Sequence, residues 1–211
     1  MSVFNFNSPL LNQLASRLQV CPTHTQHEPS AVLIALTDEI SPKILYTLRA
    51  SHMTHHAGEV AFAGGRREPY DHDNAATALR EAFEETAILP EQVKVIGELP
   101  LHHAKNGMPV VPIVGVIPPN LHLIPEAGEI ARIFWGDLAT LITQETVSYV
   151  KQYDDVLLES PAFMVEGETV WGLTGRMTAN LLNVGFDRQI DWTFNVLSHP
   201  LDMLNNPLSG T

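Results

Sequence analysis

Three carboxylates stand close together in this 211-residue chain, Glu81, Glu84 and Glu85, inside a stretch whose apolar spacing over residues 73–86 predicts a helix. At about 100° per residue, Ala75, Ala78, Leu79, Ala82, Phe83 and Thr86 are assigned to one packing arc and the three glutamates to the opposite one. Like charges at i,i+3 and i,i+4 each cost a helix about 0.2–0.5 kcal/mol. Such a trio needs solvent or a cation. Mg²⁺ is usually held by one or two carboxylates together with waters and substrate phosphates, which suits Glu81 and Glu85, one turn apart, with Glu84 beside them. The plainer alternative is a solvated acidic face on which Arg80 pairs with Glu84 at i,i+4.

To place these groups the chain needs a strand, a turn and a loop ahead of the helix. Residues 58–62 read as the strand, Gly64-Gly65 as the turn, and residues 66–73 as an acidic loop. Arg49, Arg66, Arg67 and Arg80 bracket this region, four of the 12 basic residues of the chain, and would offer local cations to an anionic substrate. Arg80 has the reach to tie a loop acid, Asp71 or Asp73, to the helix, which is a structural role. Further along, residues 100–109 read as a loop carrying His102, His103, Lys105 and a flexible Asn106-Gly107, with the reach to touch substrate; ordinary surface residues are the alternative. His52, His55 and His56 have imidazoles that can ligate zinc, but with no cysteine nearby a pocket-shaping or solvent-exposed role fits them better.

Gly64-Gly65 followed at a fixed distance by Arg80-Glu81-Ala82-Phe83-Glu84-Glu85-Thr86-Ala87-Ile88 resembles the Nudix box, a glycine, five residues, a glutamate, seven residues and then REUxEExGU with U bulky and apolar. The loop is one residue longer than the common form, which puts Asp71 nearest the usual loop glutamate, and Ala87 stands where a glycine is expected. The longer loop is similar to that of the coenzyme A pyrophosphatases of the superfamily, whose GGxxDPxDxDxxxTALREAxEE run is followed closely by GGRREPYDHDNAATALREAFEE. Their upstream signature, approximately LLTxTRSxxxRxxxGxxxFPGG, lies without a gap on residues 44–65. Leu45, Arg49, Gly58, Phe62, Gly64 and Gly65 agree, while Ala50, Thr54 and Ala63 stand at the serine, arginine and proline positions. The resemblance extends to about residue 185.

The resemblance implies an α/β protein, a Nudix-type α/β/α sandwich with a mixed sheet, that cleaves a pyrophosphate with Mg²⁺ or Mn²⁺. Glu81 and Glu85 would ligate the cation, Glu84 would complete the site, and the Gly65 carbonyl would contribute from the turn. Glu84, Glu85 and Glu129 are the catalytic candidates, since such enzymes often place a further glutamate outside the box; a solvent-facing carboxylate at a strand edge is the alternative for Glu129. Arg49, Arg66, His102, His103 and Lys105 are the substrate-binding candidates. Coenzyme A or a derivative is the implied substrate, giving adenosine 3′,5′-bisphosphate and (acyl-)phosphopantetheine. A nucleotide sugar, dinucleotide or nucleoside triphosphate is the alternative that Thr54 and Ala63 favour. A non-catalytic nucleotide sensor is a third, disfavoured because all three box glutamates remain.

The rest of the chain sets limits. A net charge of −12 disfavours a general nucleic-acid or anionic-membrane surface, and no apolar run approaches the ~18 residues of a membrane span. The N-terminus lacks a basic start followed by an apolar block, and the lone Cys21 excludes an internal disulfide framework; both suit a cytoplasmic protein. One domain over residues 1–211 is expected, with an extension over 1–30 holding a short helix at 9–18 and a tail over 186–211 anchored through Trp192 and Phe194. The expected partner is a small nucleotide substrate, with no nucleic acid and no membrane; a homodimer is left open. Residues 30–36 and 43–48 read as a strand pair, 93–99 and 129–135 as strands, and 110–117 as a central strand. Residues 162–165 and 169–172 flank a hairpin turn at Glu166-Gly167, and 174–182 form an amphipathic helix.

Overall fold

The computed structural model describes residues 4–19, 27–54, 56–153, 156–190 and 196–197. Cys21, His55, Trp192 and Phe194, and with them the proposed anchoring of the tail, lie outside these residues. The described elements in chain order are α1 (Pro9–Leu18), β1 (Ser30–Thr37), β2 (Lys43–Arg49), β3 (Val60–Ala61), β4 (Ala63–Arg66), α2 (Asn74–Thr86), β5 (Lys94–Glu98), β6 (His102–His103), β7 (Pro109–Ile117), β8 (Ile130–Asp137), α3 (Leu138–Thr143), β9 (Val147–Tyr153), β10 (Val156–Val165), β11 (Glu168–Val170), α4 (Gly172–Phe186) and β12 (Val196–Leu197).

The main sheet is mixed. Strands β1 and β7 run parallel from Ala31↔Val111 to Thr37↔Ile117, and β5, β2, β4 and β8 join by antiparallel pairing. The near-continuous apolar run of β7 is buried along almost its whole length, as a central strand requires. Alternation along β1 assigns the two faces. Ala31, Leu33 and Ala35 pack with Ala78 and Ala82 of α2, while Ile34 and Leu36 pack on the other face with Leu11 and Leu14 of α1 and Leu181 of α4. Helices therefore cover both faces, an α/β/α arrangement. A second, smaller sheet is built on β10, which pairs antiparallel with β9, β11 and β12.

Local signals account for several boundaries. Ser8 caps α1 through its hydroxyl, which accepts from the Leu10 N–H at 3.2 Å, and Pro9 opens the helix where its missing N–H costs nothing. Asp73 caps α2 by accepting from the Ala76 N–H at 2.7 Å. The two faces expected for α2 need correction. Its buried residues are Asn74, Thr77, Ala78, Ala82, Glu85 and Thr86, whereas Phe83 is 45% exposed. At 100° per residue Glu85 falls only about 20° from Ala78, so the helix turns this glutamate inward and Phe83 outward.

Other expectations shift as well. Gly64-Gly65 is not a turn but the middle of β4, paired as Val32↔Gly64 and Ala31↔Gly65, and Ala63 opens that strand opposite Leu33. The feeding strand is only Val60–Ala61, with Gly58 in the turn before it. Strand β9 and helix α3 are additions to the expected elements, held against their neighbours β10 and β8. The loop at 100–109 is a hairpin, since His102 and His103 pair with Val110 and Pro109.

Candidate active site

Strand β4 and helix α2 meet at the two glycines. A Cβ on Gly64 would lie 2.5 Å from the Ala31 carbonyl oxygen, and one on Gly65 would lie 2.6 Å from the Glu81 carboxylate. Only glycine at these positions lets the strand pair with β1 while a helix carboxylate rests on its outer surface. The Gly64 N–H donates to Glu85 Oε2 at 3.3 Å.

Glu85 is 6% exposed. Burial is the main cause that pushes its carboxyl up to about 8; Arg49 opposes the shift, while Glu81 and Glu129 reinforce it. Glu81 is also raised, first by burial, against the pull of Arg80. The field of Glu129 on both residues places this carboxylate, remote in sequence, at the same site. The connection is made by the chain after β7. The Ile124 and Glu126 N–H groups donate to the Thr86 and Glu85 carbonyls at the C-terminus of α2, and Ala50 N–H donates to the Glu129 carbonyl at 2.7 Å.

The acidic loop is fastened by Arg80. Its guanidinium donates to Asp71 at 3.1 Å from both Nε and a terminal nitrogen, to the Arg66 carbonyl at 2.7 Å and to Glu84 at 3.0 Å, and it lies 2.9 Å from Glu81. Asp71 is buried and also accepts from the Glu68 N–H at 2.9 Å. Burial alone would raise its carboxyl, but the Arg80 and backbone bonds outweigh that and hold it below the ordinary range. Both sequence readings of Arg80, a brace to the loop acid and an i,i+4 partner of Glu84, are thus realised at once.

Beside the glycines opens a cavity of about 300 Å³. Arg49, Arg66 and Lys105 line it, as do Gly64, Gly65 and Glu59. Its far wall comes from Trp171, Leu173, Arg176 and Met177 at the start of α4, residues the sequence reading did not select. The W-G-x-T pattern at 171–174 was the available signal. His102 and His103 do not line this cavity. The His102 ring has a buried Nε2 without a hydrogen-bond partner, and burial followed by nearby Arg176 pushes its pKa down to about 4; the His103 carbonyl accepts from Arg176 at 2.7 Å. His52 Nε2 lies 3.1 Å from the Gly128 carbonyl oxygen, and His56 pairs with Glu59 at 2.7 Å; neither contacts the box glutamates.

Among the described residues no three histidine, cysteine or acidic side chains converge as a preassembled metal cage. Glu81 and Glu84 are turned onto Arg80 instead. The donor chemistry nevertheless fits a hard divalent cation. The Glu81 carboxylate lies beside the open Cα of Gly65 and that of Glu85 accepts from the Gly64 N–H, and both are held where ionisation without a cation is unfavourable.

A family model described as the NUDIX domain matches residues 27–146. A protein of Enterobacter sp. (strain 638) described as an uncharacterized Nudix hydrolase NudL is 49% identical over 105 residues, which is 50% of this chain and 55% of that one. The chain thus spans about half the length of that relative. A Salmonella newport (strain SL254) protein of the same description is 42% identical over 134 residues, 61% of this chain and 70% of the relative. Among solved structures, a C. elegans Ap4A hydrolase binary complex aligns with a TM-score of 0.46 and 16% identity over 54% of this chain and 83% of that one. A MutT/nudix family protein from Enterococcus faecalis aligns with a TM-score of 0.46 and 14% identity over 89% and 76%.

Proposed function

The chain belongs to the NUDIX domain family, and on that premise we propose that it is a Nudix hydrolase that cleaves the pyrophosphate of coenzyme A or a derivative, releasing adenosine 3′,5′-bisphosphate and (acyl-)phosphopantetheine. The observation that carries the hydrolytic reading is the meeting of the buried Glu85 and of Glu81 with the Gly64-Gly65 strand, whose glycines line a cavity together with Arg49, Arg66 and Lys105. The substrate assignment rests on the longer loop ending in the Arg80–Asp71 brace and on the upstream signature around Arg49.

Glu81 and Glu85 would hold Mg²⁺ or Mn²⁺, with Glu84 and the Gly65 carbonyl completing the set. When bound, the cation supplies positive charge to the pyrophosphate oxygens and makes a water easier to deprotonate. Glu129, whose half-exposed side chain shares Arg49 with Glu85, would take the water's proton. Arg49, Arg66 and Lys105 orient the phosphates, and Arg80 keeps loop and helix in register without touching the reaction. A cytoplasmic setting is part of the same proposal; no helix among the described residues is long and apolar enough to cross a membrane.

Chromatography of the products of a coenzyme A incubation with Mg²⁺ tests the reading, and adenosine 3′,5′-bisphosphate is the expected product. Glu81→Gln and Glu85→Gln should each reduce turnover below about a tenth of wild type with the fold intact. Retention of activity above that level in either variant removes the metal assignment. Thr54, exposed at the signature's arginine position, favours a second reading in which another nucleoside diphosphate derivative is the substrate. Preference for ADP-ribose, NADH or a nucleoside triphosphate over coenzyme A in a parallel assay would establish it.

A further inference from the structure

Two arginines neutralise the site's carboxylates, and they are held in different ways. Arg80 is locked by hydrogen bonds to Asp71, Glu84 and the Arg66 carbonyl. Arg49 has no side-chain hydrogen bond among the described residues. Its terminal nitrogens lie 4.0 Å from Glu85 and 3.7 Å from Glu129, outside hydrogen-bond range, and its Nε is enclosed without a partner. Charge and packing, with no side-chain hydrogen bond, keep this guanidinium at the wall of the cavity that also carries Gly64, Gly65 and Arg66.

We propose that Arg49 is an exchangeable counter-ion. Without a metal it stands against Glu85 and Glu129; when a divalent cation takes Glu85, the guanidinium turns to the phosphate in the cavity, so that metal and substrate bind with positive coupling. The inference rests on the metal-dependent reading above and adds an order of events to it. A carboxylate as enclosed as Glu85 needs a positive charge beside it whenever it is ionised. A divalent ion and a guanidinium against the same carboxylate repel each other, and the ion's arrival therefore weakens the ion pair between Arg49 and Glu85. The planar fork released in this way matches phosphate geometry. Because coupling is reciprocal, a phosphate that draws Arg49 away must also favour the metal.

Calorimetric titration of Mn²⁺ into the full chain, first alone and then with α,β-methylene-ADP as an uncleavable pyrophosphate probe, tests this. In the absence of the probe, Arg49→Met should bind Mn²⁺ about tenfold more tightly than wild type because the competing charge is gone. With Mn²⁺ present the same variant should bind the probe about tenfold more weakly. Arg49→Lys keeps the charge and should stay near wild type for Mn²⁺ alone, which separates charge from packing. Unchanged or weaker Mn²⁺ binding by Arg49→Met, with wild-type binding still abolished by Glu85→Gln, overturns the exchange and leaves the metal site standing. Equal Mn²⁺ binding by wild type and Glu85→Gln, or none by any variant, overturns both.

Discussion

Glu85 gains most from a cation. Its carboxyl titrates near 8 in the fold and near 4.5 when ordinary, so the unfolded chain ionises first as pH rises. This group's contribution to stability is therefore complete below about pH 4.5 and lost as pH climbs through 8. Denaturant unfolding without metal should show that decline, and Glu85→Gln should flatten it. His102 has the opposite sense. With a folded pKa near 4 against an ordinary 6.5, it stays neutral in the fold while the unfolded chain takes up a proton, so stability falls as pH drops from 6.5 to 4. His102→Gln should remove a loss on the order of 2 kcal/mol across that interval, measured by unfolding at each pH. A wild-type protein with no excess acid sensitivity over this variant would mean that the ring is not enclosed.

At the scale of elements, α2 shows how capping and composition pull apart. The helix ends on Ala87 in the left-handed region, φ 61°, where the Nudix box carries glycine. A Cβ there is strained by about 1 kcal/mol, and Ala87→Gly should raise unfolding stability by about that amount in a urea titration. A fall in stability would show that the added freedom of the unfolded chain outweighs the strain. The start of the same helix is held by two different acids. Asp73 caps its N-terminus, and Asp71 receives Arg80 from the following turns, which locks the loop onto the helix that carries the glutamates.

Over the whole molecule, the parallel β1–β7 pair divides two cores, one beneath α2 and one beneath α1 and α4. The site draws on both. Its carboxylates stand on α2, while the far wall of its cavity belongs to α4 across the sheet edge. A cation that binds only the folded arrangement should therefore stabilise the entire fold. At a hundredfold excess over its dissociation constant, Mg²⁺ or Mn²⁺ should add about 2.7 kcal/mol, seen as a rise in thermal midpoint that Glu85→Gln lacks. An equal rise in that variant would place the cation elsewhere.

What could be read locally was read well from the sequence. The apolar spacing from Pro9 marked α1, Glu166-Gly167 the turn between β10 and β11, and the apolar run at 110–117 the central strand, because each signal acts over a few residues of its own chain. The position of Arg80 likewise announced a contact with a loop acid, Asp71 or Asp73, and the fold chose Asp71. Helical periodicity fixed the relative angles around α2 but not which of them faced the sheet, and that choice buried Glu85 and exposed Phe83. Tertiary structure alone brought Glu129 to Arg49 and Arg176 to the cavity, and it made a strand of Gly64-Gly65. Those contacts join segments far apart in the chain, and their energy comes from burial and charge shared between elements that no short window of sequence contains.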